Sequence, residues 1–152
     1  MSAADGSEPI ADDEFVYRRV PASVGFYNPI SDRPVQWITF KPNERDVSGI
    51  SVWRSKHVSP EDAARTHARP GKAYYVIRLK TRDLRRLGAE IAATPDEGGT
   101  GHASITNLSW SRYEGPEKNR VRELAQRIAT LAGQEQVLGP FDVLNPQATE
   151  CG

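Results

Sequence analysis

Apolar and polar positions alternate with period two in several short runs of this chain, and recur with helical spacing in one long run near its end. "FVYRRV" (residues 15–20) is apolar, aromatic and β-branched, and predicts an opening strand. "VQWITF" (35–40) sets Trp37 and Thr39 against Ile38 and Phe40 and predicts a second strand. "GISVWRS" (49–55) sets Ile50 and Val52 against Ser51 and Trp53 and predicts a third. "AYYVIRL" (73–79), "AEIAAT" (89–94) and "HASITNL" (102–108) predict three more. In the long run, Val121, Leu124, Ala125, Ile128, Leu131 and Ala132 fall on one stripe, with Arg120, Arg122, Glu123, Gln126 and Arg127 opposite. That spacing predicts an amphipathic helix with one buried face, opened by Pro116 and closed by Gly133. "QVLGPFDVL" (136–144) predicts a closing strand, with Pro140 at an edge or bulge.

Two shorter helices are predicted by their punctuation. Ser59 is placed to cap, Pro60 suits the first helical position and Asp62 stands three residues after Ser59, so a helix runs through "EDAARTHA" to stop before Pro70-Gly71. "TRDLRRLG" (81–88) predicts a helix capped by Thr81 and ended by Gly88. Residues 22–34, rich in Gly, Asn, Pro, Ser and Asp, predict a long loop. Strands cluster and helices do not alternate with them. The expected class is therefore α+β: a single domain with a mostly antiparallel sheet and a long C-terminal amphipathic helix packed on one face. Its expected span is residues 15–144. Residues 1–14, carrying Asp5, Glu8, Asp12, Asp13 and Glu14, predict a disordered acidic arm, and residues 145–152 a flexible tail.

Composition narrows the function classes. The chain has 152 residues, enough for a real core, and its 20 Lys and Arg balance 20 Asp and Glu. Zero formal charge argues against binding nucleic acid with the whole surface. No apolar run is long enough to span a bilayer, and no basic-then-apolar leader opens the chain. The one cysteine, Cys151, excludes a disulfide scaffold within the chain. These features together predict a cytoplasmic protein without a membrane partner.

Candidate chemistry gathers at strand ends. "PDEGGTGHASI" (95–105) has the glycine density of a phosphate-binding loop, but the residues after its glycines read as a strand, and no Gly-Lys-Ser/Thr is present. The loop is therefore expected to turn the chain between strands. His102, at the start of the second of those strands, is the best acid–base candidate near neutral pH. His57 and His67 lack any metal-ligand spacing and read as surface residues, so neither a metal nor a cofactor is expected. The middle of the chain is basic: Arg65, Arg69, Lys72, Arg78, Lys80, Arg82, Arg85 and Arg86, with Tyr74 and Tyr75 among them. Either this is a strip for nucleic acid or a nucleotide phosphate, or it is a solvated face. Trp53 and Arg54, beside Arg18 or Arg19, would hold a planar ligand if they share a cleft.

The segments Tyr17-Arg18-Arg19, Phe40-Lys41-Pro42 with Asp46, Gly49 and Ser51-Val52, and His102-Ala103 resemble a family of small bacterial proteins of unknown function, over most of the domain. That resemblance implies no activity. In layout, an Arg-bearing strand, then a Ser-bearing strand, then a helix, the chain is also similar to ADP-ribosyltransferase-like domains. Arg18 or Arg19 matches the first position and Ser51 the second. The chain departs from that pattern in having no Glu-x-Glu or Gln-x-Glu; "QEQ" (134–136) has the wrong order. Two classes of function stay open. One is an accessory domain that binds a partner protein or nucleic acid through Arg78, Lys80, Arg82 and Arg86. The other is a small nucleotide- or nucleic-acid-processing enzyme, with His102 as acid/base, Arg18 or Arg19 on phosphate, and Asp46 and Ser51 in support.

Overall fold

A computed structural model describes residues 6–143. Six strands form one sheet: β1 (Phe15–Pro21), β2 (Ile50–Arg54), β3 (Ala73–Lys80), β4 (Ile91–Ala93), β5 (His102–Ile105) and β6 (Val137–Asp142). Their spatial order is β4-β5-β2-β1-β3-β6, and every neighbouring pair is antiparallel. Two helices, α1 (Pro60–Arg65) and the long α5 (Lys118–Ala132), cover its faces. Three more, α2 (Thr81–Arg86), α3 (Pro95–Gly98) and α4 (Trp110–Tyr113), turn the chain between strands and into α5. The class is α+β, with the long C-terminal helix on one face of a largely antiparallel sheet.

Alternation along the strands divides the core in two. Val16, Val20, Ile50, Val52, Ile77, Leu79, Ala103 and Ile105 belong to one cluster, where Val121, Leu124, Ala125, Ile128 and Ala132 of α5 cover them. Tyr17, Trp53, Tyr74 and Val76 belong to the other, against Ala63 and Ala64 of α1. Ser59 caps α1 as its spacing implies, its hydroxyl accepting from the Asp62 N–H at 3.1 Å. Pro140 sits in the edge strand β6, beside a shift in register against β3, where its missing N–H disturbs no ladder.

Three expectations need correction. Residues 35–40 do not form a strand: Val35 makes a lone bridge to Tyr27, and Trp37–Phe40 is a 3-10 turn. Its alternation is that of a turn laid against α5, with Phe40 and Thr39 buried and the Trp37 ring beneath the Arg122 guanidinium at 5.2 Å. Thr81 does not cap α2. It is the first helical residue, Lys80 takes the cap position, and the buried Thr81 hydroxyl has no hydrogen-bond partner.

The third correction concerns the acidic arm. From Gly6 onward it is packed against the domain. Arg54, fully buried, donates to the backbone carbonyls of Gly6, Glu8 and Pro9, pairs with Glu8 at 3.1 Å, and grips Glu14 through both carboxylate oxygens. Ile10 enters the main core, and Asp12 pairs with Arg85. Two of the acidic residues that suggested disorder, Glu8 and Glu14, are the counter-charges of a buried arginine, so the segment folds back instead of solvating itself. Asp5 and the residues before it, Cys151 and the rest of the expected tail lie outside the described residues.

Candidate functional site

The site is a defect in the sheet. β1 and β2 pair at Val16–Arg54 and Tyr17–Trp53, and there the register ends. β1 continues along β3 to Pro21, while β2 continues along β5 back to Ile50. Arg18 stands where the two separate. Its Nε donates to the Thr39 carbonyl at 2.9 Å and its Nη1 to the Ser51 carbonyl at 2.8 Å, so a side chain satisfies backbone groups that strand pairing does not. Burial holds the Arg18 pKa down to about 10, while Asp46 works in the opposite direction. Arg19 points to the other side of β1. Its guanidinium lies 4.9 Å from the centre of the Tyr74 ring and donates to the Thr66 carbonyl at the end of α1. Burial lowers the Arg19 pKa as well.

The separation opens a cleft of about 760 Å³. Arg18, Arg19, Lys41, Arg69 and Lys72 line it, and Asp46 is the one carboxylate among its walls. Trp53, Tyr74 and Phe26 supply aromatic surface. A pocket of this size, cationic with aromatic walls, suits an anion that carries a flat ring system. Among the described residues neither Arg69 nor Lys72 has a carboxylate within ion-pair distance.

Ser51 lines the cleft from β2, and behind it stands His102 of β5. The His102 Nε2 lies 2.8 Å from the Ser51 Oγ. Its Nδ1 lies 3.1 Å from the Thr94 carbonyl and 2.8 Å from the Thr94 hydroxyl, which in turn reaches the Ser104 hydroxyl at 2.9 Å. In the tautomer that donates Nδ1–H to the Thr94 carbonyl, the Nε2 lone pair faces the Ser51 hydroxyl. The Trp53 ring closes the imidazole edge-on at 4.9 Å. Burial lowers the His102 pKa, and the charge of His67 acts in the same direction. The Thr94 carbonyl and Glu97 work against it.

The glycine loop serves this histidine. β4 and β5 pair directly, so the segment between them is a strand-to-strand turn, as the absence of a helix after it implied. A Cβ at Gly98 would fall 2.4 Å from the His102 Cδ2, and one at Gly101 2.4 Å from a Val58 methyl. Gly101 also has φ +88°, a conformation glycine adopts without strain. The loop makes room for the imidazole.

The structure thus brings together Arg18, Arg19, Asp46 and Ser51 in one cleft, with His102 joined to it through Ser51. Asp46 contributes charge and structure more than direct contact: its Oδ2 accepts from the Asn43 N–H at 2.8 Å, and no hydrogen bond joins it to Ser51 or His102. Trp53 lines the cleft; Arg54 does not, being committed to the N-terminal segment. The basic middle segment is divided. Arg69 and Lys72 reach the cleft. Arg78 and Lys80 lie over the Phe15 ring at 3.8 and 5.7 Å, Arg82 stands beside Asp83, and Arg86 is exposed on α2. His67 is exposed and stacks at 6.4 Å on Trp53, whereas His57 is half-buried against Glu8 at 2.9 Å. Sequence reasoning missed Thr94 and the buried role of Arg54. Thr94 meets the imidazole with its carbonyl and its hydroxyl, and no motif in the sequence marks it. Compared with known proteins, the chain matches no family model, no curated protein and no solved structure.

Proposed function

We propose that this chain is a small nucleotide- or nucleic-acid-processing enzyme whose cleft holds the phosphate-bearing part of its ligand. The single observation that carries this reading is the convergence of Arg18, Arg19, Lys41, Arg69 and Lys72 with the Ser51–His102 pair on one concave site. Guanidinium and ammonium groups that lack carboxylate partners favour a polyanion, and Trp53 and Tyr74 favour a base or other flat ring. Neutral His102, oriented by Thr94, accepts a proton from Ser51 or from a group bound beside it. Arg18 on β1 and Ser51 on β2 fit the first two positions of the ADP-ribosyltransferase-like layout, whose Glu-x-Glu or Gln-x-Glu has no counterpart in this chain.

A second reading, an accessory domain for nucleic acid or a protein partner, rests on the exposure of Arg82 and Arg86. A thermal-shift panel of mononucleotides, NAD and short RNA and DNA at low and moderate salt separates the two. The enzyme reading expects a salt-resistant rise in Tm with a nucleotide, reduced by Arg69→Ala with Lys72→Ala. A rise with every polyanion that vanishes with salt and is unchanged in that variant favours the accessory reading.

A further inference from the structure

We infer that Ser51 is a nucleophile, activated by His102 and aimed at a phosphoryl centre held in the cleft. The inference deepens the proposed function and takes the nature of its substrate from that reading.

Three features carry it. The Ser51 Oγ and His102 Nε2 are within hydrogen-bond distance, and a proton on Nδ1, donated to the Thr94 carbonyl, makes Nε2 the accepting atom. That is the arrangement a serine needs in order to lose its proton as it attacks: a base on the hydroxyl, and an acceptor behind the base that fixes its tautomer. The orienting group here is a main-chain carbonyl, so Thr94 is a positioning residue. The elements holding the pair are also rigid, since β2 and β5 pair through Ser51–Ser104 and Trp53–His102, and Gly98 lies against the imidazole. Finally, Ser51 is itself part of the cleft wall, and the Arg18 guanidinium donates to the Ser51 carbonyl. That bond holds a cation beside Ser51 in the wall of the same cleft.

The chemistry balances with water as the only further reactant. The Ser51 Oγ–P bond forms and the bond from phosphorus to the leaving oxygen breaks. The leaving oxygen takes the electron pair and the proton that His102 Nε2 removed from Ser51. Water then attacks phosphorus and gives one proton to His102. The Oγ–P bond breaks, Oγ keeps the electron pair, and that proton restores the serine hydroxyl.

Diisopropyl fluorophosphate tests this on the intact chain, because it needs only a reactive serine. Ser51 Oγ attacks phosphorus, fluoride leaves with the bonding pair, and the hydroxyl proton passes to His102. The expected result is one diisopropylphosphoryl group per chain, mapped by mass spectrometry to Ser51, absent in Ser51→Ala. His102→Gln, which keeps a polar partner for the hydroxyl, is expected to slow labelling at least ~100-fold, the scale of a lost general base. The wild-type rate should also fall as the medium is acidified below neutrality, a check that requires no variant to fold. No adduct on Ser51, an adduct formed equally fast in folded His102→Gln, or a rate that stays flat from neutrality down to the pH at which the chain unfolds would each overturn the inference. ADP distinguishes the two proposals. Labelling that ADP slows supports both, labelling indifferent to ADP keeps the nucleophile and counts against the nucleotide, and calorimetric ADP binding with Ser51 unlabelled does the reverse.

Discussion

The Ser51 hydroxyl and the His102 imidazole meet at 2.8 Å although 51 positions separate them in the chain. The register of two neighbouring strands brings them together: Trp53 pairs with His102 and Ser51 with Ser104, which sets both side chains on one face of the sheet. The contact depends on the alignment of β2 with β5, and changes to that alignment or to the space around the ring should be felt at the hydroxyl.

Gly98→Ala is the mildest such change. The added methyl would overlap the His102 ring, with its carbon 2.4 Å from Cδ2. The expected outcome is a destabilisation of roughly 1–3 kcal/mol, the range for forcing an extra carbon into a packed site, with a larger relative loss of Ser51 reactivity. Denaturant melts and labelling kinetics on the same sample measure the two effects. Full reactivity in Gly98→Ala would show that the ring position is unimportant.

Acid should silence the pair before it unfolds the chain. Burial lowers the His102 pKa, so the imidazole stays neutral at pH 7 and gains its proton only below its ordinary value of 6.5. Any rate that uses Nε2 as base is therefore expected to be flat through neutrality and to fall on an acid limb centred below 6.5. Because the folded pKa is depressed, the linked stability is fully present above 6.5 and declines as pH falls from there toward the folded value. Glu97 and the Thr94 carbonyl oppose the shift and His67 supports it, so His67→Gln should move the limb upward. An NMR titration of the His102 ring measures the position directly.

The N-terminal segment should respond to a lower pH window. Burial raises the Glu8 pKa, but hydrogen bonds from His57 and Lys56 and the charge of Arg54 outweigh it and hold the carboxyl at about 2, against an ordinary value of 4.5. A depressed carboxylate stabilises the fold above 4.5 and loses that contribution as pH falls toward 2. Glu8→Gln should therefore flatten the decline in Tm between pH 4.5 and 2. Hydrogen exchange at the amides of Thr81 and Arg82, which donate to the Glu14 and Asp12 carbonyls, reports detachment of the segment.

Arg54→Met tests the same clamp from the other side. The fully buried guanidinium satisfies Glu8, Glu14 and three carbonyls, and its loss leaves those groups without a cation. Removing one member of a buried ionic network typically costs about 3–5 kcal/mol, so a fall in that range is expected in urea melts. The cleft lies elsewhere, so ADP affinity, measured while the variant is folded, should change little.

Much of this architecture was legible in the sequence because it rests on period. The α5 stripe, the alternation in β2 and the turn punctuation around α1 are local signals, and each marks its element. Residues 35–40 misled because Trp37 and Phe40 are apolar for contacts with α5, which local alternation cannot distinguish from a strand face. The arm misled because acidity was read without its partner, and nothing local to residues 6–14 announces a buried Arg54 some 40 positions away. For the site, Arg18, Ser51 and His102 are chemically conspicuous residue types within or at the ends of strands. The separation of β1 from β2 was not legible, since it arises from competition between neighbouring strands and has no motif of its own.

The most direct test of the proposal that the cleft binds a nucleotide is a two-dimensional NMR titration of the ¹⁵N-labelled chain with ADP. The account predicts saturable shifts at the Trp53 indole N–H, the Arg18 Nε–H and the amides of Ser51, Gly71 and Lys72, with Arg82 and Arg86 unmoved. Shifts confined to Arg82 and Arg86 that fade with salt, or none at millimolar ADP, would contradict it.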